Sequence, residues 1–427
     1  MTVKEEMHSW AEDLWPIARS LTGNGVRDTL AYLKQLMPNL KIYNVATGYR
    51  AFDWTVPNEW NIRDAYIADE FGNKIVNFLD NNLHVVGYSQ PIDKWIDLDE
   101  LENHLHSIVD QPDAIPYITS YYNPYWGFCL KHSQREKLKK GLYHVVIDSD
   151  LKPGILNYGE VIIPGNEDKE VFLSTYICHP SMANNELSGI VVATALARWL
   201  MSMNDRKYTY RIIFIPETIG SIVYLSKNIE HLRKKVIAGF QISCIGDERC
   251  YSYLPTRLGK TFSDDVALHV LKHTDINFKK YTWLERGSDE RQYCAPGVDL
   301  PVASIMRSKY AEYPEYHTSL DDLNFVTQKG LEGGLLALKR SINVIEENGY
   351  FKTTVLCEPQ LGKRDLYPSI GDRSIGDQTL IIVNLISYCD GNHSLLEISE
   401  ILDEPFWKLI KIVKKLVKHK LLIKISK

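Results

Sequence analysis

The chain has 427 residues, 44% hydrophobic and 24% charged, with a net charge of -5. That is an ordinary globular composition spread over two or three domains, which excludes wholesale disorder and a generally basic nucleic-acid binder. No apolar run approaches the roughly 18 residues of a membrane span, and the acid-bearing start MTVKEEMHSWAEDLWPIARS is unlike a secretory signal, so a cytoplasmic protein is expected. The seven cysteines are odd in number and include no CxxC pair, so any metal site should use His and carboxylates.

In chain order, residues 3–37 read as helical. Trp10, Leu14, Ile17, Ala18 and Leu21 recur at helical spacing, Thr22 to Gly25 ends the run, and a second helix covers Asp28 to Met37 before Pro38. Residues 1–40 are therefore the helical start of the main domain. Residues 41–130 carry short alternating runs, such as AFDWTVP and WNIRDAYIAD, and a turn at Glu70 to Asn73; they are expected to form a β-rich insert. Six of the nine tryptophans precede residue 130 and serve either packing or a pocket wall.

Residues 131–355 alternate short Val/Ile-rich strands (YHVVIDS, GEVIIPG, EVFLSTYIC, YRIIFIPE, VIAGFQIS, VASIMRS) with amphipathic helices, among them SGIVVATALARWLMSM and SIVYLSKNIEHLRKK. This order predicts an α/β domain whose mixed sheet is flanked by helices, closed by a helix from Gly330 to Asn348. After a loop at Cys357 to Gly376, residues 356–427 read as three helices and a short strand, the order of a winged helix. Asp390–Lys427 holds eight Lys and five acids, locally net +3. Lysine alone mostly contacts phosphate, so protein docking or self-association through this domain is favoured over DNA binding.

In open α/β sheets ligands sit at the carboxyl ends of strands. Those ends carry His179 to Glu186, Glu217, Asp247 with Glu248, Glu285 to Glu290, and Tyr316 to Asp322. Five strand ends bearing His or carboxylates point to a metal or acid–base site. On the bland side, Glu217 can be a helix-cap acid, ERGSDERQY a surface salt-bridge run, and Asp321 and Asp322 the caps of the helix that follows.

The runs STYICHP…ANNELSGIVVATALARWL, FIPETIGS and YHTSLDD resemble the first metal loop, the Glu-bearing strand end and the late His motif of M28-type zinc aminopeptidases. The whole chain is most similar to the bacterial aminopeptidase-like DUF4910 family with a DUF2172 insert and a C-terminal winged helix, whose members often accompany surface-polysaccharide genes. The resemblance implies a zinc-exopeptidase fold with His179 and His317 as ligands and Glu217 as general base. Asn185, Thr218 and Ser243 stand where the family has an acidic bridging ligand and two further acidic ligands. Two adjacent Zn²⁺ need such anions against their mutual repulsion, so one Zn²⁺ is expected, with two as the alternative. A zinc needs about three protein ligands besides water. Glu186, Asn185, Asp289 or Asp247 is the third, Glu186 on charge grounds and Asn185 by position. Arg286 and Arg291 are expected to receive a substrate carboxylate, and Tyr316 to donate to the oxyanion. The expected activity is amide hydrolysis of a small peptide or an amino-sugar-like substrate. The alternatives are a degenerate, non-catalytic binding protein and a ligand-sensing DNA-binding regulator.

Overall fold

The computed structural model describes residues 1–364, 366 and 373–426. The chain forms two compact units, residues 1–263 with 279–336, and residues 264–278 with 337–427. Residues 367–372 of the loop expected between Cys357 and Gly376 lie outside the described residues.

The first unit is built on an eight-stranded mixed sheet flanked by helices. Its order is Lys41–Ala46, Ile155–Ile163, Thr209–Ile215, Glu170–Tyr176, Val236–Gln241, Val302–Met306, Ser252–Leu254, Lys279–Lys280. Thr209–Ile215, Glu170–Tyr176, Val236–Gln241 and Val302–Met306 run parallel. Every residue of Glu170–Tyr176 is buried, as a parallel strand covered on both faces requires. The chain leaves Glu170–Tyr176 for a neighbour on one side, Thr209–Ile215, and returns to a neighbour on the other, Val236–Gln241. The carboxyl end of Glu170–Tyr176 is thus the switch point, where such sheets leave a crevice.

Several sequence boundaries move. The first helix stops at Leu14, not near Leu21, because Pro16 supplies no amide hydrogen and disfavours helix at Trp15; the next helix begins at Asn24, ahead of Asp28. The insert does not span 41–130. Lys41–Ala46 pairs with Ile155–Ile163 in the main sheet, while Leu142–Lys152, read as an α/β strand, is the central strand of the insert sheet beside Glu59–Ala68 and Ile92–Asp97. A cut at 355 also fails, since Tyr350–Thr353 pairs with Asp390–Ser394 and Leu422–Ile425 to make the sheet of the second unit.

That second unit has the winged-helix order. Helices Arg373–Tyr388, Leu395–Leu402 and Phe406–Lys418 accompany the three-stranded sheet. Phe406, Leu409, Val413 and Leu416 are buried along the last helix, and its lysines are exposed. Among the described residues no helix is long and apolar enough to cross a membrane.

Candidate active site

His179 follows the fully buried strand Glu170–Tyr176. Behind it, Ala183–Leu187 forms one turn of π-helix, closed by Leu187 N–H donating to Met182 O at 3.3 Å, which runs into the helix Ser188–Ser202. Such turns recur at functional sites. Gly189 is needed here, because a Cβ would lie 2.6 Å from both Ile242 O and Thr175 Oγ1. Asp321 caps this turn rather than the helix after it, accepting Asn184 N–H at 2.6 Å and Asn185 N–H at 2.9 Å. Tyr313 OH donates to the same carboxylate at 3.0 Å. Asp322, by contrast, caps its own loop at Asn324 and Phe325.

Glu217 follows Thr209–Ile215. Thr218, at φ 64° and ψ -76°, is the centre of a γ-turn of the rare positive-φ hand, closed by Ile219 N–H donating to Glu217 O at 2.8 Å. Ser181 and Cys244 also take positive φ shortly after strand ends, and His317 does so in the loop that follows Val302–Met306. The insert holds the His317 loop directly: Tyr117 N–H donates to His317 O at 2.8 Å, and Ser319 N–H to Ile115 O at 2.9 Å.

His179, Glu217, His317 and Arg291 line one cavity of about 370 Å³ with Trp54, Tyr117, Thr119, Tyr121, Tyr122 and Leu21. His179 Nδ1 faces Glu186 Oε2 at 2.9 Å, and its Nε2 lies 3.6 Å from Glu217 Oε2. The latter is wide for a hydrogen bond and suits two groups sharing one water or ion. His317 Nε2 is buried with no hydrogen-bond partner. Burial holds both imidazoles neutral, with pKa values down to about 3, aided by Arg19 at His179 and by His179 at His317. Burial and then Asp289 push Glu217 up to about 8; burial pushes Asp289 up to about 7. The hydroxyls of Tyr117 and Tyr121 lie 3.0 Å apart, so one hydroxyl proton of the pair is left over.

The other proposed site residues are placed differently. Glu186 is not on the metal side of His179. Its 2.9 Å separation from Nδ1 is that of a hydrogen bond, shorter than the roughly 3.3 Å between two tetrahedral ligands each about 2.0–2.1 Å from zinc. The same contact counts against Cys178, His179 and Glu186 as a metal trio, although their donor atoms lie within 4.8 Å of one another. Asn185 Oδ1 accepts Tyr176 OH at 3.0 Å. Asp247 accepts from Ser308 N–H, Ser308 Oγ and Arg249 N–H, each at 2.8 Å. Asp289 Oδ1 accepts Thr218 N–H and Ser221 Oγ at 2.8 Å, and its Oδ2 is buried without a partner.

Arg291 lines the cavity, donating to Thr218 Oγ1 at 2.6 Å with its Nε unpartnered. Arg286 does not reach it; the exposed guanidinium folds back 5.0 Å over Trp283 and donates to Trp283 O. Tyr316 is outside the lining too, its ring stacked 3.9 Å from that of His317. Sequence reasoning missed Arg19, Tyr117 and Tyr121, which no motif marks. Of the six early tryptophans only Trp54 lines this cavity.

The two imidazoles, held neutral with Nε2 atoms free of hydrogen bonds, fit one metal ion. The carboxylates that a second ion needs are absent from the lining apart from Glu217. A second trio within 4.8 Å, His269, His273 and Glu400, lies in the winged-helix unit. There His269 Nε2 accepts Phe406 N–H at 2.9 Å and Nδ1 faces Glu400, so both nitrogens are engaged in holding the unit together.

The model of a domain of unknown function, DUF4910, matches residues 8–348, and a winged helix-turn-helix model matches residues 349–424. A Clostridium acetobutylicum protein, named for polysaccharide biosynthesis and an aminopeptidase-like domain, is 43% identical over 396 residues, 92% of this chain and 90% of its own length. A crystal structure from the same organism, under a provisional peptidase name, superposes with a TM-score of 0.93 at 40% identity, covering 99% of this chain and 96% of the other. The zinc aminopeptidase of Bacillus subtilis gives 0.57 at 12% identity over 80% of this chain and 94% of its own, a likeness of fold alone. The chain belongs to the DUF4910 family, with an aminopeptidase-like fold and a C-terminal winged helix.

Proposed function

We propose that the chain is a hydrolase of amide bonds that uses one zinc ion, held by Nε2 of His179 and of His317. The observation that carries this reading is the convergence of His179 and Glu217, from two strand ends, and His317, from the loop after Val302–Met306, on one cavity at the switch point of the sheet. Of the four candidates for a third ligand, Asp289 keeps an oxygen, Oδ2, with neither a hydrogen bond nor an ion pair, yet it is not among the residues that line the cavity. Zinc held there supplies the Lewis acidity that brings a water's pKa to roughly 7 and polarises a carbonyl. Glu217 takes the proton of the attacking water and returns it to the leaving nitrogen. The spare proton of the Tyr117–Tyr121 pair donates to the carbonyl oxygen as charge develops, the role first given to Tyr316. Arg291 receives an anionic group of the substrate. The amide of a small peptide or of an amino sugar suits this cavity, and the relative's name favours the amino sugar.

The test is metal content per chain, with hydrolysis of aminoacyl anilides and N-acylated amino sugars by protein purified with zinc. One zinc, lost in His179→Ala and in His317→Ala, together with hydrolysis, supports the reading. The uncharged residues at 185, 218 and 243 favour a second reading, a pocket that binds its ligand without cleaving it. A metal-free protein that binds an amide and leaves it intact would establish that one.

A further inference from the structure

We infer that Arg19 is a positioning residue for His179: from the N-terminal segment it holds both the backbone and the ring of that histidine, and so determines which imidazole nitrogen faces the cavity. Nothing in its local sequence marks Arg19, yet it is 1% exposed. Its Nη1 donates to Leu14 O at 2.7 Å, anchoring the guanidinium to the end of the first helix. Its Nε donates to His179 O at 3.0 Å. The same Nε lies 3.6 Å from Glu186 Oε1, and Glu186 Oε2 lies 2.9 Å from His179 Nδ1. One guanidinium plane therefore meets the carbonyl of His179 and the carboxylate that orients its ring. With Nδ1–H given to Glu186, the lone pair of Nε2 is left toward Glu217 and the cavity. The tautomer of a metal-binding imidazole is set by the bond its other nitrogen makes.

Charge neutralisation alone does not account for Arg19. A buried ion pair is a weak source of stability, and well-packed apolar side chains often replace one without loss. The geometry is also specific to a planar fork. A lysine ammonium keeps the charge but offers no plane that spans a backbone carbonyl and a carboxylate while tied to Leu14 O. The remaining donor, Nη2, has no protein partner. Arg19 lines a second, water-sized cavity of about 10 Å³ with Ser20, Asn82 and Tyr117.

The inference concerns zinc only through the function proposed above, and the experiment separates the two. Full-length protein with ¹⁵N-labelled histidine, stripped of metal, is compared with Arg19→Lys and Arg19→Met by long-range ¹H–¹⁵N correlation; zinc affinity of each is measured by competition with a chelator. Wild-type His179 is expected as a single tautomer with the proton on Nδ1. Both variants should lose that single tautomer, and zinc affinity should fall about 10- to 100-fold. Arg19→Lys retains the charge and is read even where Arg19→Met does not fold. A folded Arg19→Lys with the Nδ1–H tautomer intact and zinc affinity within about twofold of wild type overturns the inference. Wild-type protein that binds no zinc overturns the metal reading instead, and the tautomer of the metal-free protein then decides the role of Arg19.

Discussion

His317→Gln in the metal-free protein isolates the electrostatics of one candidate ligand. Burial takes the His317 imidazole from its ordinary pKa of 6.5 down to about 3. Between those values the unfolded chain binds a proton that the folded chain refuses. The histidine's contribution is therefore fully present above pH 6.5 and is lost as pH falls toward 3. At 1.36 kcal/mol per unit, going from pH 7 to pH 5 removes about 2 kcal/mol from wild-type stability through this group alone. Wild type by itself is not diagnostic, because Glu217, Asp289 and Asp321, raised to about 8, 7 and 7, act in the opposite sense: their contributions are present at low pH and are lost as pH rises through those values. They are common to both proteins and cancel in the difference. Urea unfolding with a chelator present, at pH 7 and pH 5, should show the stability of His317→Gln relative to wild type improving by about 2 kcal/mol at the lower pH. A change below about 0.5 kcal/mol would mean that the folded state accepts the proton, and the neutral, metal-ready imidazole would have to be given up.

Glu217→Gln keeps the shape of the side chain and removes the base; turnover should fall about 10²- to 10⁴-fold with bound zinc unchanged, and zinc lost from this variant would make Glu217 a ligand instead. Asp321→Ala leaves the amides of Asn184 and Asn185 and the hydroxyl of Tyr313 unpaired in the interior, so the urea midpoint should report a loss of about 3–6 kcal/mol. Arg291→Lys should raise KM for anionic substrates more than for neutral ones, whereas Arg286→Ala should change neither, because its guanidinium rests on Trp283 outside the cavity.

The parallel core was legible because strands covered on both faces must be continuous apolar runs, and EVFLSTYIC and YRIIFIPE are such runs. His179 and Glu217 were legible for the same reason, each standing just beyond a recognisable strand, whereas His317 lies in the long loop after Val302–Met306 and was picked out by its local motif. Strand partnership was not. Lys41–Ala46 is mostly exposed and has no clean alternation, so no local signal says that its partner begins at Ile155, across the whole insert. The side chains that Tyr117 and Tyr121 give the cavity depend on the same tertiary arrangement, since Ile115 to Tyr117 bonds a loop some 200 residues on. Glu186 shows the limit of reading by motif. Charge made it a ligand, but seven residues after His179, through a π-turn, its carboxylate reaches the ring's far nitrogen.

Thr218 makes the converse point. By the sequence resemblance to zinc aminopeptidases it stands where an acid is expected. In the fold it is the residue that aims Glu217. A β-branched residue at φ 64° is strained by about 1–3 kcal/mol and persists only where its surroundings over-determine it. Three bonds do so here: Ile219 N–H closes the γ-turn on Glu217 O, Thr218 N–H donates to Asp289, and Arg291 donates to Thr218 Oγ1. A glutamate at this position has no hydroxyl on Cβ for Arg291 to meet. Asp289 and Arg291 lie on or beside one short helix, Glu290–Tyr293, so that helix and the carboxylate of Glu217 hold their positions together. The segment that supplies Arg291 to the cavity thereby also fixes the direction of Glu217, so the threonine at position 218 comes with a more rigid placement of the one carboxylate in the lining.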